Sequence, residues 1–216
     1  MSITSRQAVA GIQIPDSALA RDVTQFVQDL APQLLFDHSR RVFLWASLQG
    51  ERRALKFDPE LLYVGAMFHD VGLVEGHRSA DERFEIDGAN AARAFLEARG
   101  VGEEEVGVVW DSIALHTTPE IPRYKQSEVW LVTLGVEYDV LGLHFDDVSP
   151  ERRDEVVAAH PRDGFKAGIV DAFFEGMRDK PETAFGTMNT DVLEAKLAGY
   201  ARPNFCDFIA NSPLQG

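Results

Sequence analysis

Several ionisable side chains lie on helix faces that the neighbouring apolar residues predict to be buried. His38 shares one such face with Leu35, Val42 and Trp45, because these residues recur at spacings of three or four along the chain. The same arrangement recurs at three further ionisable residues, His69, His116 and Asp139. Burying an unpaired carboxylate is costly, so we expect Asp139 to have a cationic partner.

A single metal ion would satisfy most of these buried groups at once. The expected ligands are two imidazoles and two carboxylates, from His38, His69, Asp70 and Asp139. This ligand chemistry suits Zn, Fe, Mn, Co or Ni, and water bound to such an ion becomes a nucleophile near neutral pH. The pattern therefore indicates hydrolysis or hydration. The alternative is a salt bridge between Asp139 and Arg41, with the histidines hydrogen-bonded in an ordinary core.

Helices must position these side chains, because the apolar pattern is helical nearly throughout and no sustained strand alternation occurs. The predicted helices span residues 17–30, 32–49, 59–70, 87–99, 103–116, 126–141, 150–159, 164–179 and 191–200. Residues 72–86 are expected to form a loop, with Asp87 capping the helix that follows. We predict an all-α single domain over residues 1–216, with a core at about 30–145 and a C-terminal helical extension at about 150–216.

The composition limits the partners that this protein can have. The 35 acidic residues outnumber the 21 Lys and Arg, so the formal net charge is −14 and nucleic-acid binding is not expected. The single cysteine excludes an internal disulfide and a site made of several thiolates. We see no apolar run of the roughly 20 residues that a membrane span needs, and no secretory signal pattern. We expect a cytoplasmic protein that acts on a small molecule and binds no membrane; a homodimer is compatible with this size.

The ordered motifs FDHSRRVF, GAMFHDVGL and GVEYDVLG contain His38, His69-Asp70 and Asp139. In this order they resemble the HD superfamily of metal-dependent phosphohydrolases, which is named for its His…His-Asp…Asp ligands on a helical bundle. The likeness continues through RFEIDGANAARAFLEARG and WDSIALHT, and it covers roughly residues 30–145. It is closest to the cyanamide hydratase-like branch, which adds water to a small nitrile-type substrate on zinc. The resemblance implies a compact HD-type bundle with additional C-terminal helices, the same four ligands, and Zn as the first metal to expect.

Two departures from the superfamily's pattern sharpen this expectation. Many of its phosphohydrolases carry a Lys that meets phosphate in a motif resembling HDxGK, whereas this chain has Leu73 at that place. Two-metal members usually supply histidines from the next two helices. His116 fits one of those places, but the segment before Gly88 offers Glu85 and Asp87 and no histidine. We therefore expect one metal and a substrate without phosphate.

Two residues are expected to carry the catalysis. Asp70 is the candidate to orient or deprotonate the attacking water, because it is both a metal ligand and a carboxylate beside His69. His116 is expected to line the pocket and to transfer a proton or orient the substrate, because imidazole titrates near neutrality.

Further residues are candidates for supporting roles around the metal or the pocket. We expect Arg41 to brace a ligand carboxylate, and Arg40 to face solvent. Glu75 lies in the loop after the His-Asp pair, where a general acid or base could reach the substrate. Asp87 is expected to be a helix cap first and a pocket residue second.

The sequence thus predicts a metal-dependent hydrolase or hydratase of small molecules, similar to cyanamide hydratase. A phosphohydrolase of a nucleotide or phosphate monoester is the first alternative. An oxygenase with two irons is the second, and a non-catalytic binding module on the same scaffold is the third. The complete ligand set argues against the last of these.

Overall fold

Ten α-helices account for most of residues 8–214, the part of the chain that this computed structural model describes. The first six are α1 (Ala18–Leu30), α2 (Gln33–Arg52), α3 (Pro59–Phe68), α4 (Phe84–Glu97), α5 (Glu103–Ala114) and α6 (Ser127–Val136). The C-terminal four are α7 (Pro150–Ala159), α8 (Phe165–Met177), α9 (Asn189–Lys196) and α10 (Phe205–Ala210). The predicted all-α fold class is confirmed.

Shorter segments complete the described chain. A π-helix, Glu137–Leu141, continues α6 directly, and short 3-10 turns occur at Val71–Leu73, Ile121–Tyr124, Phe145–Asp147 and Pro181–Ala184. Before α1, β1 (Ala8–Val9) and β2 (Ile12–Gln13) pair antiparallel in a hairpin that the sequence pattern did not predict. No helix in residues 8–214 combines the length and the apolar character that a membrane span needs.

Helix starts follow the capping chemistry of the sequence. Asp58 accepts hydrogen bonds from the backbone N–H groups of Glu60 and Leu61, and Pro59 occupies the first turn of α3, where it displaces no helical hydrogen bond. Ser17 caps α1 in the same way through the N–H of Ala20. These local signals explain why both helices begin within one residue of the predicted start.

The fourth helix differs from its prediction. α4 begins at Phe84, so Asp87 lies inside the first turn and does not cap it; this prediction is wrong. Asp87 instead accepts the backbone N–H of Ser79 and pairs with Lys180 from beyond α8. The sequence did not predict burial of Asp87, because the Lys180 that pairs with it lies far along the chain. The polar residues before Phe84 therefore suggested a loop where α4 begins.

The central helix α2 is buried over most of its length and packs against α3 and α6. Gly135 permits the contact with α6, because a Cβ at this position would collide with the carbonyl oxygen of Val42. The apolar core formed around this contact includes Val42, Leu62, Val64 and Val132. This packing fixes the inward faces of α2, α3 and α6 relative to one another.

A second apolar cluster joins the C-terminal helices to the first part of the chain. Leu35 on α2 and Leu73 after α3 pack with Phe165 and Ile169 of α8. Gly176 lets α8 approach Leu73 closely. Leu73 is thus a buried contact for α8, which gives a structural reason for an apolar residue at that place.

Candidate metal centre

Three buried side chains from α2 and the end of α3 converge at one point. Ligand atoms of His38, His69 and Asp70 all lie within 4.8 Å of one another. The two Nε2 atoms of His38 and His69 are 3.1 Å apart, and Oδ2 of Asp70 lies 3.2 Å from the Nε2 of His69 and 3.6 Å from that of His38. These distances leave the three groups facing a common centre.

The end of α3 allows two consecutive residues to reach this centre. His69 is the C-cap and keeps helical dihedral angles, whereas Asp70 has φ −104° and ψ 7° and has left the helix. Gly72 follows in close contact with the backbone of α4, where a Cβ would collide with the carbonyl oxygen of Phe84. The chain therefore changes direction between His69 and Gly72, which lets both side chains reach the same centre.

The hydrogen bonds of the two imidazoles indicate which ring nitrogens carry protons. Nδ1 of His69 lies 2.7 Å from the carbonyl oxygen of Ala66, and Nδ1 of His38 lies 2.7 Å from Oδ2 of Asp139. Both oxygens are acceptors, so both Nδ1 atoms donate and both neutral rings present a lone pair at Nε2. Two lone pairs that face each other at 3.1 Å repel unless they share a cation.

Asp70 adds a negative charge with no hydrogen bond to offset it. Both carboxylate oxygens are buried and lack a hydrogen-bond partner among the described residues. Burial raises the pKa of Asp70, but the three neighbouring imidazoles, His69 above all, together lower it more, so the net shift is downward. Burial likewise lowers the pKa of His69, and Asp70, the carbonyl oxygen of Ala66 and Asp139 together raise it more. The site thus attracts positive charge, and two imidazole nitrogens with a carboxylate fit a divalent transition metal.

Asp139 lies at the other edge of the His38 ring, within the π-helix that follows α6. Its Oδ2 contacts Nδ1 of His38, and Nη2 of Arg41 donates to the same oxygen at 2.9 Å. Nε1 of Trp45 donates to Oδ1 at 2.8 Å, and Nη1 of Arg162 donates to Oδ1 as well. All four of these neighbours donate hydrogen bonds, so both oxygens of the Asp139 carboxylate have partners.

This environment differs from the one that the sequence predicted for Asp139. Its carboxylate is not among the three ligand groups that converge, and it binds the Nδ1 edge of His38 instead. Burial raises the pKa of Asp139, but His38 and Arg41 lower it more, so the group stays ionised. The expected contact between Arg41 and a carboxylate of the site is present, whereas Arg162 and Trp45 carried no sequence signal as partners.

His116 lies beside the centre as predicted. It follows the end of α5, its Nδ1 donates to the carbonyl oxygen of Ile113, and its Nε2 lies 3.8 Å from Oδ1 of Asp70. Nε2 is buried without a hydrogen-bond partner in the described chain. Burial and the nearby His69 lower the pKa of His116 to about 4, so the imidazole is neutral.

Glu85 is a buried residue near His116 that the sequence analysis did not select as a site residue. It lies in the first turn of α4 and accepts hydrogen bonds at Oε1 from Arg83, Thr117 and Asn189. Its place between the apolar Phe84 and Ile86 could have indicated burial. Because residues 72–86 were expected to form a loop, Glu85 was not assigned to a buried helix face.

Three other expectations have mixed outcomes. Glu75 is exposed after the 3-10 turn, and Asp87 pairs with Lys180, so neither is brought to the converging ligands. The prediction that Arg40 faces solvent is wrong, because Arg40 is buried and its Nη1 donates to the hydroxyl of Tyr63. The physical reason is that α2 is buried on nearly all sides at this point.

A cavity of about 210 Å³ adjoins His116. Its lining includes Thr117, Val140, Phe173 and Asn189, so α8 and α9 of the C-terminal helices close one side of it. The converging side chains could hold an ion in a buried position, and the adjoining cavity has room for a small molecule.

Comparison with known proteins agrees with this geometry. The family model described as HD domain matches residues 35–143, a range that includes His38, His69, Asp70, His116 and Asp139. A search of curated proteins found no significant match.

Proposed function

Because the chain belongs to the HD domain family, whose members are generally metal-dependent hydrolases, we propose that it uses one divalent metal to add water to a small molecule. One observation carries this proposal: two Nε2 lone pairs and an unpartnered carboxylate face one another in a buried space. A cation is the partner that satisfies all three groups together.

We propose His38, His69 and Asp70 as the protein ligands of the ion, with Zn as the first candidate and Fe, Mn, Co or Ni as the others. When bound, the ion supplies a Lewis acid that makes water nucleophilic near neutral pH. Asp70 has a second oxygen, Oδ1, directed toward His116 at 3.8 Å. This oxygen can orient the attacking water, and the neutral Nε2 of His116 can accept its proton and return it to the substrate.

We propose that Asp139 positions His38 and does not bind the ion directly. Its hydrogen bond fixes the proton of His38 on Nδ1, which leaves Nε2 free for the metal and makes the ring a stronger donor. Arg41, Trp45 and Arg162 hold the carboxylate in place. This role replaces the direct ligation that the sequence suggested.

We further propose hydration of a nitrile-type substrate, as in the cyanamide hydratase-like branch that the sequence resembles. The support is chemical: among the residues that line the cavity beside His116, Glu137 and Asp191 are acidic and none is Lys or Arg. Leu73, at the place where a phosphate-binding Lys would be expected, packs against α8. An anionic phosphate would meet repulsion there and a neutral molecule would not.

A substrate panel tests this proposal. Zinc-loaded protein is assayed with cyanamide, simple nitriles and phosphate monoesters, and amide or phosphate release is measured. Turnover of a nitrile-type compound is the expected result. Hydrolysis of phosphate monoesters alone would contradict the hydratase proposal and favour the phosphohydrolase.

A further inference from the structure

Glu85 has one carboxylate oxygen that is fully engaged and one that has no partner. Oε1 accepts hydrogen bonds from Arg83 at 2.9 Å, from Asn189 at 3.1 Å and from Thr117. Oε2 is buried and has no hydrogen-bond partner within residues 8–214. Burial raises the pKa of Glu85, but the hydrogen bond from Arg83 and the neighbouring His116 lower it more, so the group is ionised. A buried charged oxygen without a donor is expensive, and Oε1 alone accounts for the three donors present.

Two of the residues that hold Glu85 border the cavity beside His116. Thr117 and Asn189, which hold Oε1, both line the cavity of about 210 Å³ that adjoins His116. His116 presents a second unpartnered acceptor, Nε2, and this atom lies 3.8 Å from Oδ1 of Asp70. Two buried acceptors thus accompany the proposed metal ligand, and neither has a hydrogen-bond donor within residues 8–214; the buried Nε–H of Arg83 is also without a partner.

The chemistry of the missing donor follows from the charges nearby. The cavity is lined by the acidic Glu137 and Asp191 and by no Lys or Arg of the described chain, so an anionic ligand is disfavoured. A carboxylate oxygen accepts hydrogen bonds only, so the complementary group is an N–H or O–H. Water could supply an O–H donor, but the apolar Val140, Phe173 and Val192 also line this cavity and favour an organic molecule.

We propose that Oε2 of Glu85 accepts a hydrogen bond from an N–H group of a small uncharged substrate, an amide or an amine-bearing nitrile. This contact would hold the neighbouring carbon of the substrate beside Asp70 and His116, where water is added. Thr117 and Asn189 act as positioning residues that fix the carboxylate. The inference rests on the proposed function, because it needs the ion at His38, His69 and Asp70.

Binding of two nearly isosteric ligands to the cobalt-loaded protein tests the proposal without turnover. Acetamide carries N–H donors and acetone does not, and the visible absorption of Co²⁺ reports the entry of either ligand near the ion. A hydrogen bond to a charged acceptor corresponds to a preference of about tenfold or more. We expect acetamide to bind at least about tenfold more tightly than acetone, with one Co²⁺ per chain.

The variant Glu85→Gln replaces the free acceptor oxygen with an amide that can present a donor, and it should reduce this preference to less than about threefold. Glu97→Gln makes the same change at an exposed position of the same helix and should leave the preference intact. Thr117→Val, which removes one donor to Oε1, is the second variant and should reduce the preference partly.

Several outcomes would overturn the inference. Equal affinities in the wild-type protein, no spectral response to either ligand, or an unchanged preference in both the Glu85 and Thr117 variants would remove Glu85 from substrate binding. Two Co²⁺ per chain falling to one in Glu85→Gln would make Glu85 a metal ligand instead. In the first three cases the proposed function stands, whereas two Co²⁺ per chain would also contradict its single ion. A wild-type protein that binds no Co²⁺ would refute the proposed function as well.

Discussion

His38 presents its two ring nitrogens to two different environments. Nδ1 faces the carboxylate of Asp139, and Nε2 faces His69 and Asp70. The proton on Nδ1 therefore determines that Nε2 is available as a ligand. Through its two ring nitrogens, His38 links the buried Arg41–Asp139 pair to the proposed metal centre.

Replacing Asp139 separates a positioning role from direct ligation. We expect Asp139→Asn to weaken metal affinity by about 10- to 100-fold, with one equivalent still bound at saturating metal. Trp45→Phe removes a single donor to the same carboxylate and should weaken affinity less. Titration with Zn²⁺ against a competing chelator measures both. Complete loss of binding in a folded Asp139→Asn protein would restore the direct-ligand prediction.

His116 should matter for the reaction more than for the metal. We expect His116→Gln to lower kcat by about 10²- to 10⁴-fold, because proton transfer by a positioned side chain contributes on that scale. Metal content should not change. His144→Gln, at a half-exposed histidine, is the matched control and should leave kcat unaltered. A reduced metal content in His116→Gln would show that this imidazole is a ligand.

Individual residues differ in how far the sequence predicts them. His38 and His69 are predictable because apolar periodicity places them inward, and Asp70 is predictable because it follows His69 in the family motif. Asp139 was expected inward too, and it is buried, but helix periodicity does not say which edge of an imidazole a carboxylate meets. Asn189 lies 104 residues beyond Glu85 in the chain, so no local sequence pattern could predict the hydrogen bond between them.

At the scale of elements, the close approach of α2 and α6 depends on Gly135. We expect Gly135→Ala to destabilise the protein by about 1–3 kcal/mol, because its Cβ would collide with the backbone carbonyl oxygen of Val42. Gly107→Ala on α5 is the control: a Cβ there meets nothing within 4 Å, so this change should be neutral or slightly stabilising. Urea denaturation measures both. Equal effects of the two substitutions would show that the helix contact is not tight.

Helices were predicted better than their irregular ends. α7 has the predicted bounds, 150–159, because Ser149 and Pro150 provide an unambiguous start. The helix predicted over 126–141 changes to a π-helix at Glu137, and Asp139 lies in that segment. A π-helix inserts one residue into the ladder and redirects side chains, which is typical of functional sites but has no simple sequence signal.

At the scale of the whole molecule, the C-terminal helices contribute to the site and to stability. Asn189 contacts Glu85, and Lys180 forms a buried ion pair with Asp87 on α4. Phe165 on α8 packs against His38, with ring centroids 5.0 Å apart. We propose on these contacts that residues 1–216 form one domain, because the core at 30–145 would expose part of its site without the extension.

Breaking the Lys180–Asp87 pair tests this integration. We expect Lys180→Met to destabilise the protein by about 3–5 kcal/mol, since it leaves a buried carboxylate unpaired. The double variant Lys180→Met, Asp87→Asn should recover much of that loss, because the charge is removed with its partner. Thermal unfolding should remain a single transition in all variants. Two separate transitions in the wild-type protein would indicate that the extension folds independently.

The metal content of the purified protein tests the central claim most directly. Protein prepared without added metal and analysed by inductively coupled plasma mass spectrometry should contain close to one equivalent of a transition metal per chain. A folded Asp70→Asn variant should contain much less, because the unpartnered carboxylate is lost. A wild-type protein that is folded, carries no metal and does not take up Zn²⁺ would contradict the account.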